Sequence, residues 1–296
     1  MKEKFTSLNQ GVVYMLIASL CFAIMGAFAK ALSSHMDSLE IVFFRNIVGV
    51  FLILATLYKT PLQSQGGKPF LLFFRGFMGF VALMAFFYNI AHISLADAMT
   101  FSRTSPIFTA LFAFWFLKEE IGKRGWIAIG IGFVGIVFIM RPNGLAFDKT
   151  DILGLLSGVG AALAYTSVRE LKKYYDTRAI VLSFMGIGTL GPLVLMYLSS
   201  FLHVNSLDFM QGKFILPSGI DWLFIAGLGF FATIAQTYMT KAYGATKAGI
   251  VGAVSYTNIL FSMLIGLSMG DALPDFLGLF GIILVIIGGV LVAKEK

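Results

Sequence analysis

The chain has 296 residues, of which 58% are hydrophobic and 12% charged, about half the charge of a soluble domain, so a water-exposed globular surface cannot be built from it. The net charge of +7 is scattered between apolar runs rather than gathered on one element, which argues against nucleic acid as a partner. The single cysteine, Cys21, excludes an intrachain disulfide and a cysteine-based zinc site.

A bilayer core takes about 20 apolar residues per helix. Hydropathy and the polar breaks predict helices near 11–33, 39–58, 70–92, 95–117, 124–140, 152–173, 179–201, 220–242, 247–269 and 276–293. The first apolar run is longer than the central region of a signal peptide and reads as a retained helix. Breaks carry turn chemistry, as in Arg141-Pro142-Asn143-Gly144 and Leu216-Pro217-Ser218-Gly219. With a cytoplasmic N-terminus, 16 Lys and Arg fall in cytoplasmic segments, Arg75 and Arg169 among them, against 3 in outer loops, so both termini are expected inside.

The sequence repeats internally. At an offset of 151, Gly76 meets Gly227, Phe80 meets Phe231, Ala91 meets Ala242, Glu120 meets Asp271 and Gly130 meets Gly281; at 143, Gly11 meets Gly154 and Phe22 meets Tyr165. Each half holds an odd number of helices, so the second must be inverted. The expected fold is an all-α membrane protein of ten transmembrane helices in two inverted five-helix repeats, 1–143 and 152–296, joined by a linker at 144–151. Substrate is then expected near the midplane between the halves.

Arg103, in Thr100-Phe101-Ser102-Arg103-Thr104-Ser105-Pro106, lies about 9 Å along its helix from Asp97. An arginine at that depth needs a partner or a wet cavity. It either receives an anionic, carboxylate-bearing substrate or forms a structural ion pair, and the surrounding hydroxyls and proline-freed carbonyls favour the cavity. The same argument applies with less force to Arg45, a further candidate for substrate binding that is expected first to be architectural, anchored by outer-loop acids such as Glu40 and Asp37, while Lys30 is expected to snorkel to the outer surface. Tyr165, Tyr238 and Tyr256 are candidates for an aromatic, hydroxyl-bearing lining, and Asn89, Gln236 and Asn258 for orienting groups.

Other patterns are set aside. Gly130-x-Gly132-x-x-Gly135 spells a dinucleotide fingerprint but has no strand before it, so these glycines, like Gly154, Gly158 and the pair Gly288-Gly289, read as helix-packing positions. His35, His92 and His203 do not group as a metal site, Glu119-Glu120 reads as a solvated turn, and no cofactor is expected.

Pro106 in the fourth helix, the acid Glu120 after it with its repeat mate Asp271, and a glycine-rich fifth helix together resemble the drug/metabolite transporter superfamily, in particular its EamA-type members. The resemblance covers nearly the whole chain. It implies ten helices in two repeats and transport of a metabolite, the family including exporters of amino acids and other metabolites, sugar carriers and S-adenosylmethionine importers. Phe44-Arg45, Arg75-Gly76 and Ala96-Asp97-Ala98 look most like the metabolite and S-adenosylmethionine carriers. Asn258, where the first half has Ile107, and Arg103, where the second has Val254, break the internal symmetry, and specificity is expected there.

The sequence thus points to a secondary transporter of a small metabolite in the inner membrane, with export favoured over import. Uptake or exchange of a nucleoside-like metabolite such as S-adenosylmethionine is the alternative. An intramembrane enzyme is the weakest alternative, since no His-Glu-x-x-His, no Gly-x-Ser-x-Gly and no paired intramembrane acids occur. The partners are the substrate and the lipid bilayer; a homodimer is left open.

Overall fold

The computed structural model describes residues 2–62, 66–117, 122–140, 148–199, 201, 205–212, 214–245 and 248–294. Among them the regular secondary structure is entirely helical: α1 (Lys2–Leu32), α2 (Ser38–Lys59), α3 (Pro69–His92), α4 (Leu95–Ser102), α5 (Ser105–Leu117), α6 (Lys123–Met140), α7 (Lys149–Leu171), α8 (Thr177–Ser199), α9 (Asp221–Ala245), α10 (Ala248–Ser255), α11 (Thr257–Ser268) and α12 (Phe276–Lys294), with a short 3₁₀ turn at Asn205–Met210. Among the described residues six helices are long and apolar enough to cross a membrane. Large apolar side chains such as Phe51, Leu264 and Phe276 stand 66%, 62% and 81% exposed, a surface that only lipid solvates well.

The predicted spans recur, but two are broken and two begin early, α1 at Lys2 rather than near residue 11 among them. The fourth, expected as one helix over 95–117, is broken at Arg103 and Thr104 into α4 and α5. Pro106 lacks the N–H that would bond the carbonyl of Ser102, and its ring crowds that carbonyl. Thr104 Oγ1 bonds back to the carbonyl of Phe101 at 2.7 Å and consolidates the turn. The ninth, expected over 247–269, is broken at Tyr256 into α10 and α11. No proline acts there; Ser255 and Thr257 bond back to the carbonyls of Gly252 and Val254 at 2.7 and 2.8 Å. At the other end of the linker, a capping box between Asp148 and Asp151 starts α7 at Lys149, three residues earlier than expected.

The principal helix pairs are α1 with α9, α3 with α7, α2 with α8 and α6 with α12. Glycines set the closest approaches. A Cβ on Gly135 would lie 2.8 Å from the carbonyl oxygen of Gly281, and one on Gly288 would lie 2.7 Å from the backbone nitrogen of Gly132, so α6 and α12 touch backbone to backbone. Gly130 has open space around it and takes no part.

Polar contacts cluster at the two ends of the bundle. At one end, Lys30 pairs with Asp271 at 2.6 Å and donates to the carbonyl of Ile93, and Asp271 also accepts from the Leu95 backbone. Lys30 is therefore a bridge between segments rather than a snorkelling cation. His35 meets Asp221 at 2.6 Å there, and Lys149 pairs with Asp208. At the other end, Glu170 pairs with Lys68 at 2.9 Å and Lys173 at 2.6 Å, while Arg178 donates to the carbonyls of Thr60 and Pro61. Consequently α1 ends on the face where α7 and α9 begin.

The hydrogen bonds from Lys173 and Lys68 hold the Glu170 carboxyl at about 2, well below its ordinary value. A carboxyl depressed in the folded state stabilises it above the unfolded-state pKa near 4.5, and that contribution fades as pH falls towards 2. Unfolding temperatures of the protein and its Glu170→Gln variant should therefore differ by a constant amount above about pH 5 and converge below about pH 4. A difference that changes between pH 6 and 8 would contradict this assignment.

Candidate functional site

A cavity opens between the segments α1–α4 and α7–α9. Its walls are Phe22 and Met25 from α1, Arg45 from α2, Arg75, Gly79, Ala82, Leu83 and Phe86 from α3, Met99, Ser102 and Arg103 around the first helix break, Ser157, Ala161, Ala164 and Tyr165 from α7, Phe184 from α8 and Gln236 from α9. The atom-free space is about 560 Å³, but water centres can occupy only about 60 Å³ of it, room for roughly five waters. The cavity is narrow as it stands, so admitting an organic molecule requires its walls to part.

Three guanidiniums converge on this space. Arg103 is 5% exposed and Arg45 and Arg75 are each 1% exposed. Arg103 ends α4, where the broken helix frees its side chain to turn inward; its Nε donates to Asn258 Oδ1 at 3.2 Å and its guanidinium lies 5.3 Å from the Phe22 ring centre. Asn258 is fully buried and in turn donates to the carbonyl of Ser19 at 2.7 Å, so it fixes the arginine from behind. The two residues that break the internal symmetry of the sequence therefore touch each other.

Arg45 does not reach Glu40 or Asp37. Five residues along a helix turn a side chain about 140° from Glu40, and Glu40 instead accepts from the backbone of Ile215 at 2.9 Å. Arg45 Nη1 donates to Asn46 Oδ1 at 2.7 Å, and Asn46 donates to the carbonyl of Gly188 in α8. Arg75 corrects the sequence count: it is buried in the cavity wall rather than in a cytoplasmic segment. Its Nε is buried without a hydrogen-bond partner, and its guanidinium lies 4.8 Å from the Phe184 ring centre. Among the described residues no carboxylate comes within ion-pair distance of any of the three arginines, although an unpaired buried charge is expensive.

The other candidates divide. Tyr165 lines the cavity and stacks on Tyr243 with ring centres 5.6 Å apart. Gln236 also lines it, 3% exposed and with Nε2 unpartnered. Tyr256 is buried at the second break, its hydroxyl has no hydrogen-bond partner among the described residues, and it is not one of the residues that line the cavity. Tyr238 packs on Tyr14 and carries Lys241 over its ring, away from the cavity. Asn89 donates to the carbonyl of Thr150 at 2.9 Å and ties α3 to the start of α7. His92 stacks on Tyr88. Glu119, Glu120, His203 and the side chain of Arg169 lie outside the described residues, and no group of metal-ligating side chains occurs among the described ones.

Residues 9–141 match the EamA-like transporter family. An uncharacterized transporter of Helicobacter pylori is 37% identical over 289 residues, 96% of this chain and 94% of that protein. The chain belongs to this family. The pseudopaline exporter CntI of Pseudomonas aeruginosa is 30% identical over 98% of both chains, and the S-adenosylmethionine uptake transporter of Rickettsia felis is 22% identical over 97% of this chain and 93% of that one. A solved crystal structure superposes with a TM-score of 0.62 at 15% identity, covering 96% of each chain, a likeness of fold. An EamA-like protein whose full-length relatives are transporters is a membrane carrier of small molecules, and these names point to transport rather than catalysis.

Proposed function

We propose that this protein is a secondary transporter that carries a carboxylate-bearing metabolite across the inner membrane by alternating access, with export as its working direction. The observation that carries the reading is Arg103, buried at a helix break, facing a cavity between the two halves, and held among the described residues only by a neutral amide and an aromatic ring. A buried guanidinium without a protein carboxylate is a receptor for one from outside. Tyr165 and Gln236 add a ring face and an amide to the same cavity, and Asn258 positions the arginine.

The halves 1–143 and 152–296 are two five-helix repeats of opposite orientation, with both termini cytoplasmic. Three facts support this. The pairing of α1 with α9 is mirrored by that of α7 with α3, the fourth span of each half is broken at matching depth, and α1 ends on the face where α7 begins. Moving Arg75 out of the charge count leaves the Lys and Arg bias in place. Ties between the halves at both ends, Lys30 with Asp271 and Lys68 with Glu170, are contacts that opening of one face or the other would break.

Export is favoured by the exporter from Pseudomonas aeruginosa, 30% identical over 98% of the chain. The second reading, uptake of a nucleoside-like metabolite such as S-adenosylmethionine, is favoured by the Rickettsia relative and the aromatic wall of Phe22, Phe86 and Tyr165. Counterflow in proteoliposomes separates them. Labelled organic acids and amino acids are expected to exchange; exchange of S-adenosylmethionine, which bears an amino-acid carboxylate, in preference to them would favour the second reading, and exchange of carboxylate-free nucleosides alone would overturn the carboxylate reading.

A further inference from the structure

We infer that the substrate carries at least two carboxylates, one received by Arg103 and the other by Arg45 and Arg75. The inference rests on the carboxylate reading above and adds a second anion subsite to it. Arg45 from α2 and Arg75 from α3 both lie over the ring of Phe184, 5.4 and 4.8 Å from its centre. The first is held only by neutral groups among the described residues, Asn46 Oδ1 at 2.7 Å from Nη1 and Met25 Sδ at 3.5 Å from Nε, and the Nε of the second has no acceptor among them. Arg103 belongs to a different wall, over Phe22 and against Asn258 of α11.

The charge balance requires more than one anion. A carboxylate has about four acceptor sites on two oxygens, so it takes one guanidinium fork bidentately or lies between two guanidiniums with one oxygen toward each. A monocarboxylate at Arg103 would leave two guanidiniums sharing one aromatic ring with nothing to neutralise them, and an aromatic face returns only a small part of a buried cation's lost hydration. A second carboxylate on the same molecule serves both. The surfaces of Met25, Leu83, Phe86 and Met99 in the same cavity are apolar, so the skeleton joining the carboxylates is largely hydrocarbon. A phosphomonoester, which gathers its double charge on one group, is the competing anion.

The test uses purified wild-type protein and its thermal unfolding in titrations with linear dicarboxylates of four to ten carbons. Each is compared with its monomethyl ester and with a phosphomonoester of equal length. At the fitting length the diacid is expected to reach half-maximal stabilisation at a concentration about tenfold or more below that of its monoester. In Arg75→Gln and Arg45→Gln the ratio falls to near one. Should a glutamine variant fail to fold, Arg75→Lys keeps the charge, loses the fork and is expected to lower the ratio partway. Equal midpoints for diacid and monoester in the wild type, a diacid preference that survives substitution of Arg75, or a phosphomonoester binding as tightly as the best diacid would each overturn the inference while leaving carboxylate transport standing. No stabilisation by any carboxylate would overturn both.

Discussion

Arg103→Gln is expected to reduce carboxylate exchange about a hundredfold while leaving the unfolding temperature unchanged or raised. A charge-assisted carboxylate pair desolvated in a narrow cavity accounts for about 2–3 kcal/mol of binding, and each 1.4 kcal/mol is tenfold. The folded protein, by contrast, carries Arg103 as a buried cation with no carboxylate beside it among the described residues, so a neutral amide removes a desolvation cost. Glutamine can still donate to Asn258 Oδ1, which now lies 3.2 Å from the arginine Nε. Opposite signs for activity and stability distinguish a binding arginine from a structural one. Exchange in proteoliposomes and thermal unfolding in detergent read the two quantities; a variant that loses both together would make Arg103 structural.

Gly288→Val should be the most destabilising single change in the helix contacts described above. The added Cβ would lie 2.7 Å from the nitrogen and 2.8 Å from the Cα of Gly132 and 2.8 Å from the carbonyl of Ala128, all backbone that no rotamer change can move. Separating α6 from α12 to admit it costs about 3 kcal/mol, seen as a fall of roughly 6–12 °C in unfolding temperature. Gly130→Ala on the same helix is the control. Its added methyl meets nothing within 4 Å, and a helical Gly→Ala change gains up to about 1 kcal/mol. Equal effects at the two positions would contradict the close contact.

These contacts also show what the sequence could tell. Long apolar runs between polar breaks are decided by the lipid solvent, so the spans at α2, α3, α8 and α9 and the end of α1 were legible to within a few residues. Pro106 announced a disturbance in the fourth span, because a missing N–H is local chemistry. Ser255-Tyr256-Thr257 announced nothing comparable; whether hydroxyls bond back to their own helix is settled by the neighbours packed around them.

Residues of the proposed site were legible where burial cost alone argued for them. Arg103 stood out because it lies deep in its span. Arg75 lies six residues beyond Pro69, about 9 Å along α3, and the same argument applies to it. It was missed because a cation near a helix start counts as cytoplasmic when loops are tallied. Asn258 drew notice as a symmetry break, but its role, holding Arg103 from a helix 155 residues away, exists only in the packed structure. Asn89 and Tyr238 looked like ligand groups because polar residues in apolar runs all look alike until their partners are known.

The most direct test of alternating access is sided labelling of a cysteine placed at Ser102 in the cavity wall, in a Cys21→Ala background that leaves no other thiol. A membrane-impermeant thiol reagent is applied to right-side-out and to inverted vesicles, with and without Asp271→Asn, which weakens the pair with Lys30. The predicted result is reciprocal: the variant labels several-fold faster from the Lys30 face and correspondingly slower from the Glu170 face. Rates that rise from both faces together would describe an open pore and contradict the account.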